Sequence, residues 1–274
     1  MNKNSKKYLS GPYIVWMAAF IIIPLFMVVY YGFTNKTGDF TWDNAAAIFR
    51  PVHLKALWLS VKLSIVSTII CLLLAYPLAS ILANANIKSN SFMVFIFILP
   101  MWMNFLLRTL AWQNLLDKNG VINNVLHVLH LPSLNIINTP AAIILGMVYN
   151  FLPFMVLPIY NVLEKIDRDV INAARDLGAN GVQTFFRITL PLSLPGIVSG
   201  ITMVFVPALT TFVISDILGG AKVQLIGNII EQEFITANNW NTGSGLSLVL
   251  MVFIIISMAL MNKYDKGSEG SNLW

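Results

Sequence analysis

Six apolar runs alternate with polar stretches along the chain, at residues 13–33, 57–83, 92–112, 141–163, 194–218 and 244–261. Each is long enough to cross a bilayer, for which about 20 helical residues suffice. A peptide group inside hydrocarbon finds no water, so a lone apolar run of this length must be helical. The pattern predicts an all-α integral membrane protein: a six-span domain at 13–262 between polar tails at 1–12 and 263–274. The first run exceeds the apolar core of a signal peptide and has no small-residue cleavage site before the polar stretch 34–41. It reads as an uncleaved span.

With 57% hydrophobic and 11% charged residues, the composition excludes an ordinary soluble domain. The net charge of +5 does not indicate a nucleic-acid surface, because the basic residues sit at the ends of apolar runs rather than on one face. Topology accounts for them. With both tails cytoplasmic, ten Lys and Arg fall inside (Lys3, Lys6, Lys7, Lys88, Lys165, Arg168, Arg175, Arg187, Lys263, Lys266) and seven outside (Lys36, Arg50, Lys55, Lys62, Arg108, Lys118, Lys222). That bias has the sign of the positive-inside rule, and Trp42, Trp58, Trp112 and Trp240 fall near the outer boundary as an aromatic belt. Lys62 and Arg108, near outer span ends, read either as interfacial anchors that snorkel or as functional groups. The one cysteine, Cys71, lies in an apolar run and has no intrachain disulfide partner.

The longest polar break between spans is 164–195, EKIDRDVINAARDLGANGVQTFFRITLPLSLP. Asp167 and Asp169 suit a helix start. Val170, Ala173, Ala174 and Leu177 recur at helical spacing, and Gly178 can take the left-handed conformation that closes a helix. Asn180 is placed to cap a second short helix through Arg187, which Pro191 and Pro195 are expected to stop and redirect. Small Ala173 and Ala174 permit close approach of another surface, and Arg175, Asp176 and Arg187 stay free to meet it.

Ala173, Ala174, Gly178, Ile188, Leu190 and Pro191 follow the pattern AAxxxG, nine residues, IxLP. This resembles the EAA loop of binding-protein-dependent ABC importer permeases, whose coupling helices sit in a groove of a separate ATPase. The resemblance implies a type I importer permease fold. It also implies docking by Val170, Asn172, Ala173, Ala174, Arg175, Asp176, Leu177, Gly178, Arg187 and Pro191. Asn172 departs from the family, which usually carries Glu there. From residue 76 to 234, words such as LPMWMNFLLRTLAW (99–112), LPFMVLPIYNVLEKID (152–167) and SDILGGAKVQLIGNIIEQEF (215–234) resemble the polyamine, spermidine/putrescine, branch. This implies a second permease subunit, an ATPase pair that binds ATP and Mg, and an external substrate-binding protein.

Polar groups in the spans normally face the bundle interior. The candidates for a substrate path are Asp216, Asn104 and Asn150, with Trp102, Tyr149 and Phe212 at comparable depth and Glu231 and Glu233 on the following outer segment. Acids attract a cationic substrate and ring faces attract ammonium groups. The alternative for Asp216 is an ion pair with Arg108. Internal prolines at Pro24, Pro77, Pro100, Pro153, Pro158 and Pro207 point to kinked helices. In the outer segment 117–138, Val121, Val125, Val128 and Leu129 form one face of a surface helix that also carries His127. With His130 three residues on, this pair lacks the further ligands a metal needs.

The sequence contains no GxxxxGK[ST] phosphate loop, no HExxH and no nucleophile constellation, so no catalytic residue is assigned. Permeases for sulfate, molybdate, ferric iron or thiamine share the loop. A stand-alone secondary transporter would typically show inverted repeats or an intramembrane ion relay, and an intramembrane enzyme would need paired catalytic groups within its spans.

Overall fold

The computed structural model describes residues 11–84 and 99–269. Among these, five helices are long and apolar enough to cross a membrane. They are α1 (Pro12–Gly32), α2 (Pro51–Asn84), α5 (Pro140–Leu163), α7 (Gly181–Thr210) and the stretch Trp240–Met261 of α10 (Trp240–Glu269). Between them lie α3 (Phe105–Leu116), α4 (Val121–Val128), α6 (Arg168–Asp176), α8 (Val213–Gly219) and α9 (Ile226–Ile235). The start of the expected third span falls outside the described residues. Its described part is not one helix: a 3-10 turn at Leu99–Trp102 is followed by α3, which Asn104 caps by accepting from the Leu106 and Leu107 amides. Proline and a strong N-cap together restart the helix there.

The expected fifth span also differs. The helix begins earlier and ends at Thr210, where Thr211 is extended, so Asp216 lies on the separate α8. Pro191 and Pro195 do not stop the chain. A π-helical turn at Phe185–Thr189 leads straight into the α-helical stretch Leu190–Thr210, in whose first turn Pro191 lies, and Pro195 sits inside it. A second such turn, Ala18–Ile22, interrupts α1 ahead of Pro24.

The chain divides into two compact units. The first comprises Met1–Ala56 with Ile229–Ile255. There Thr34 O accepts from the side-chain amides of Asn44 (2.8 Å) and Asn241 (2.6 Å), while Trp240 meets the rings of Tyr31 and Phe234. The 34–40 loop closes by a bridge between Thr34 and Phe40. Side-chain hydrogen bonds from Thr37 and Asn35 hold the exposed Asp39 carboxyl below the usual carboxylate range.

The second unit comprises Leu57–Asn228 with Ile256–Trp274, and its core is α5. α7 lies along α5 through Gly196 and Gly200, one helical turn apart; a Cβ at Gly200 would stand 2.7 Å from Met155 Sδ, and one at Gly196 would stand 2.8 Å from Pro158 O. Small residues at this spacing let membrane helices pack backbone to backbone. α8 seats Ile214 and Leu218 against Gly146 of α5. α2 is tied to its neighbours by Tyr76 Oη and Ser193 Oγ at 2.9 Å, and by the Ile226 amide donating to Ser60 Oγ at 2.8 Å. Gly200→Leu is therefore expected to destabilise the permease by about 1–3 kcal/mol through overpacking. A lower unfolding temperature in detergent with the same helix content checks this.

Candidate coupling surface and substrate path

The 164–195 segment folds as a helix–turn–helix with capped ends. Asp167 N-caps α6 by accepting the Asp169 amide at 2.9 Å. The helix closes at Gly178, whose φ is +87° and whose amide donates to Arg175 O at 2.8 Å, with Ala179 N bonded to Ala174 O at 3.0 Å. A reciprocal cap then starts α7: Gln183 N donates to Asn180 Oδ1 at 2.8 Å and Asn180 N to Gln183 Oε1 at 3.0 Å. Each bond satisfies an end group that a free helix would leave to water, and so fixes the angle between the two helices.

Of the residues expected to dock, Ala174 is buried, while Val170, Asn172, Ala173, Arg175, Asp176, Leu177, Gly178, Arg187 and Pro191 are exposed. Leu177 is 90% exposed, and Val182 and Phe186 add to the uncovered apolar surface. Apolar side chains held outward on a capped scaffold, ringed by Arg168, Asp169, Arg175, Asp176 and Arg187, suit a protein partner. Behind them is a cavity of about 210 Å³, lined by Ala83 and Asn84 at the end of α2, Leu163 at the end of α5 and Ile166 after it, and Ile171 and Arg175 of α6.

The expected path residues separate into groups. Asp216 is exposed on α8, where its Oδ1 accepts from Asn228 Nδ2. Asn228 is buried and fully bonded. Its Nδ2 also donates to Phe212 O at 3.1 Å, and its Oδ1 accepts from Ser215 Oγ at 2.6 Å and Leu225 N at 2.9 Å. This hub joins Asp216 and Phe212, and sequence reasoning missed it: a lone Asn in IGNII carries no mark of burial. Tyr149 packs edge-on against Trp112 at 5.2 Å, Phe105 stacks on Phe151 at 6.5 Å, and the intervening Asn150 is buried. Trp102 is 76% exposed. Asn104 spends its oxygen on the α3 cap and is thus a structural group. Glu231 and Glu233 are half-buried on α9 in the first unit, whereas Asp216 belongs to the second.

Arg108 does not snorkel, as its side chain is buried. Nor does it pair with Asp216 here, because its Nε has no partner and no ion pair to it exists among the described residues. α4 presents Val121, Val125, Val128 and Leu129 outward as expected, and buried Asn123 sets its orientation by bonding Asp117 O, Leu134 O and Leu134 N. His127 and His130 are both exposed, and no group of three or more metal-ligating side chains exists among the described residues. A separate cavity of about 360 Å³, lined mainly by Ile65, Ile69, Leu72, Ile201, Phe205 and Leu260, is almost wholly apolar and suits hydrocarbon rather than a polycation.

The chain thus combines membrane-length helices with a capped, outward-facing helix–turn–helix. Residues 75–268 match the family model of the binding-protein-dependent transport system inner membrane component, and the chain belongs to that family. It is similar to the spermidine/putrescine transport system permease protein PotB of Haemophilus influenzae, with 38% identity over 97% of this chain and 96% of that protein. The Escherichia coli protein of the same name is 37% identical over 86% of this chain and 89% of its own length. In fold, the chain resembles a chain of a bacterial ABC transporter involved in import of the polysaccharide alginate. The TM-score is 0.81 at 17% identity, covering 95% of this chain and 94% of that one.

Proposed function

We propose that this chain is the PotB-type permease subunit of an ATP-driven importer for polyamines, spermidine and putrescine, in a bacterial cytoplasmic membrane. The observation that carries the reading is the end-to-end similarity to polyamine permeases, at 38% identity over 97% of the chain. Its partners are a PotC-type second permease that completes the path, a PotA-type ATPase pair that binds ATP and Mg, and a PotD-type external binding protein. The chain holds no cofactor and makes no covalent bond. Its work is mechanical and electrostatic.

The coupling surface supports the first part of this work. Closure of the ATPase pair on ATP moves α6, and α6, which borders the ends of α2 and α5 around one cavity, passes that motion to the bundle, which opens toward the loaded binding protein. Hydrolysis resets it. The path supports the second part. Asp216 offers a carboxylate and Phe212, Tyr149 and Trp102 offer ring faces, all suited to ammonium groups on an alkyl chain.

Uptake of labelled spermidine by cells lacking their own polyamine importers, and expressing this chain with its three partners, tests the substrate. Unlabelled putrescine should compete, while sulfate, molybdate, ferric iron and thiamine should not. Competition by one of those four instead would keep the importer and reject the polyamine.

A further inference from the structure

Asn228 is 1% exposed, and every bonding position of its side chain is taken. A carboxamide offers two N–H donors and an oxygen that accepts two bonds. Here Oδ1 accepts from Ser215 Oγ and Leu225 N, while Nδ2 donates to Phe212 O and to Asp216 Oδ1. An ionised aspartate could accept the first pair of bonds but donate neither of the others, and leucine could do neither. The turn that carries Asn228 is itself fastened to the membrane helix α2, because Ile226 N donates to Ser60 Oγ at 2.8 Å. All of these groups lie within the second unit.

Three of the four bonds serve the fold. They join Phe212 just before α8, Ser215 within it and Leu225 just before α9, and both Ser215 and Leu225 are buried, where an unmade bond is costly. The fourth bond differs. Asp216 is exposed, so water would solvate its carboxylate without help from the fold. Instead a buried amide holds one of its oxygens, and no hydrogen bond or ion pair reaches the other, Oδ2, among the described residues. The neutrality of the donor matters too: arginine or lysine would hold the carboxylate as firmly but cancel its charge, whereas an amide orients it and favours its ionised form. The result is a carboxylate with a fixed position and an uncompensated charge.

We propose that Asn228 is a positioning residue for the transported cation: it holds Asp216 by Oδ1 so that Oδ2 receives an ammonium group of the substrate. Asn228 itself touches no substrate. The inference rests on the polyamine reading and assigns to a buried amide the geometry on which Asp216 depends.

The test is spermidine uptake by the complete reconstituted complex, with KM and kcat measured separately for Asp216→Asn, Asp216→Glu, Asn228→Asp, and Asn228→Asp combined with Asp216→Asn. Asp216→Glu keeps the charge at an exposed position but carries the carboxylate one methylene away from its place on the Asn228 amide. It should raise KM by about five- to ten-fold, close to the effect of Asp216→Asn, with kcat within about two-fold of wild type. Asn228→Asp keeps the acceptor for Ser215 and Leu225 but loses both donors, and should raise KM to a similar extent. In the Asp216→Asn background it should add no further KM change, because the carboxylate it positions is gone. A merely structural role for Asn228 gives equal KM shifts in both backgrounds, and that result overturns the proposal. A wild-type KM for Asp216→Glu overturns it as well; this comparison leaves the buried amide untouched and stands even if Asn228→Asp fails to assemble. A wild-type KM for Asp216→Asn, or no spermidine uptake by the wild-type complex, defeats the substrate reading beneath the proposal, whereas a KM raised by Asp216→Asn alone defeats only the positioning role.

Discussion

An Ala173→Glu permease folds and reaches the membrane but loses binding-protein-stimulated ATP hydrolysis and transport. Ala173 is exposed on α6 beside Leu177 and Val170, on a surface whose end caps are all satisfied within the hairpin itself. The substitution therefore disturbs nothing inside the chain. In the docked complex it buries a carboxylate where only a methyl group fits, and a buried unpaired charge at an interface costs about 3–5 kcal/mol, enough to weaken docking by more than about 100-fold. Copurification of the ATPase with the variant, followed by its ATPase rate, measures this. Asn172→Glu is the matched control. It places the same charge one residue away, where the family usually carries glutamate, and should dock normally. Loss of docking in both variants would point to net charge rather than the position of Ala173.

Asp216→Asn carries the second large effect. Its carboxylate is exposed, bonded on one oxygen by Asn228 and neutralised by no basic residue among the described ones. An amide keeps the shape and removes the charge that attracts an ammonium group. Uptake at low spermidine should fall by about ten-fold, through a higher KM. The Asn228 hub still has the Phe212, Ser215 and Leu225 partners to hold α8 in place, so assembly should be unchanged. Wild-type uptake by an assembled Asp216→Asn complex would remove Asp216 from the path.

What the sequence made legible follows from the range of the interactions involved. The 164–195 hairpin was readable because its determinants are local: Asp167 caps two residues on, Gly178 takes a positive φ at its own position, and Asn180 exchanges bonds with Gln183. Helix α4 was readable for the same reason, since the spacing of Val121, Val125 and Val128 needs no partner to be seen. The end of the fifth span was not. TFVISDILGG reads as one apolar run, and its break at Thr211 depends on how α8 folds over Gly146 and bonds to Asn228.

Arg108 shows the same limit. Near the end of an apolar run an arginine reads as an interfacial anchor, and only the packing of α3 on α5 and α8 reveals that it is enclosed. Asn104 was correctly singled out as a polar group in apolar company, yet its oxygen serves the backbone of its own helix. Polar residues in a membrane sequence mark places where hydrogen bonding must be satisfied. Whether backbone, partner side chain or substrate satisfies it is a property of the fold.

The central claim, that this chain couples a separate ATPase to polyamine movement, is tested most directly by the ATPase rate of the purified four-component complex in lipid. Binding protein loaded in turn with spermidine, putrescine, sulfate and thiamine would be added. The account predicts stimulation with the two polyamines and none with the other solutes. Stimulation by sulfate or thiamine would contradict the substrate, and polyamine uptake by this chain alone, with no ATPase present, would contradict the coupling itself.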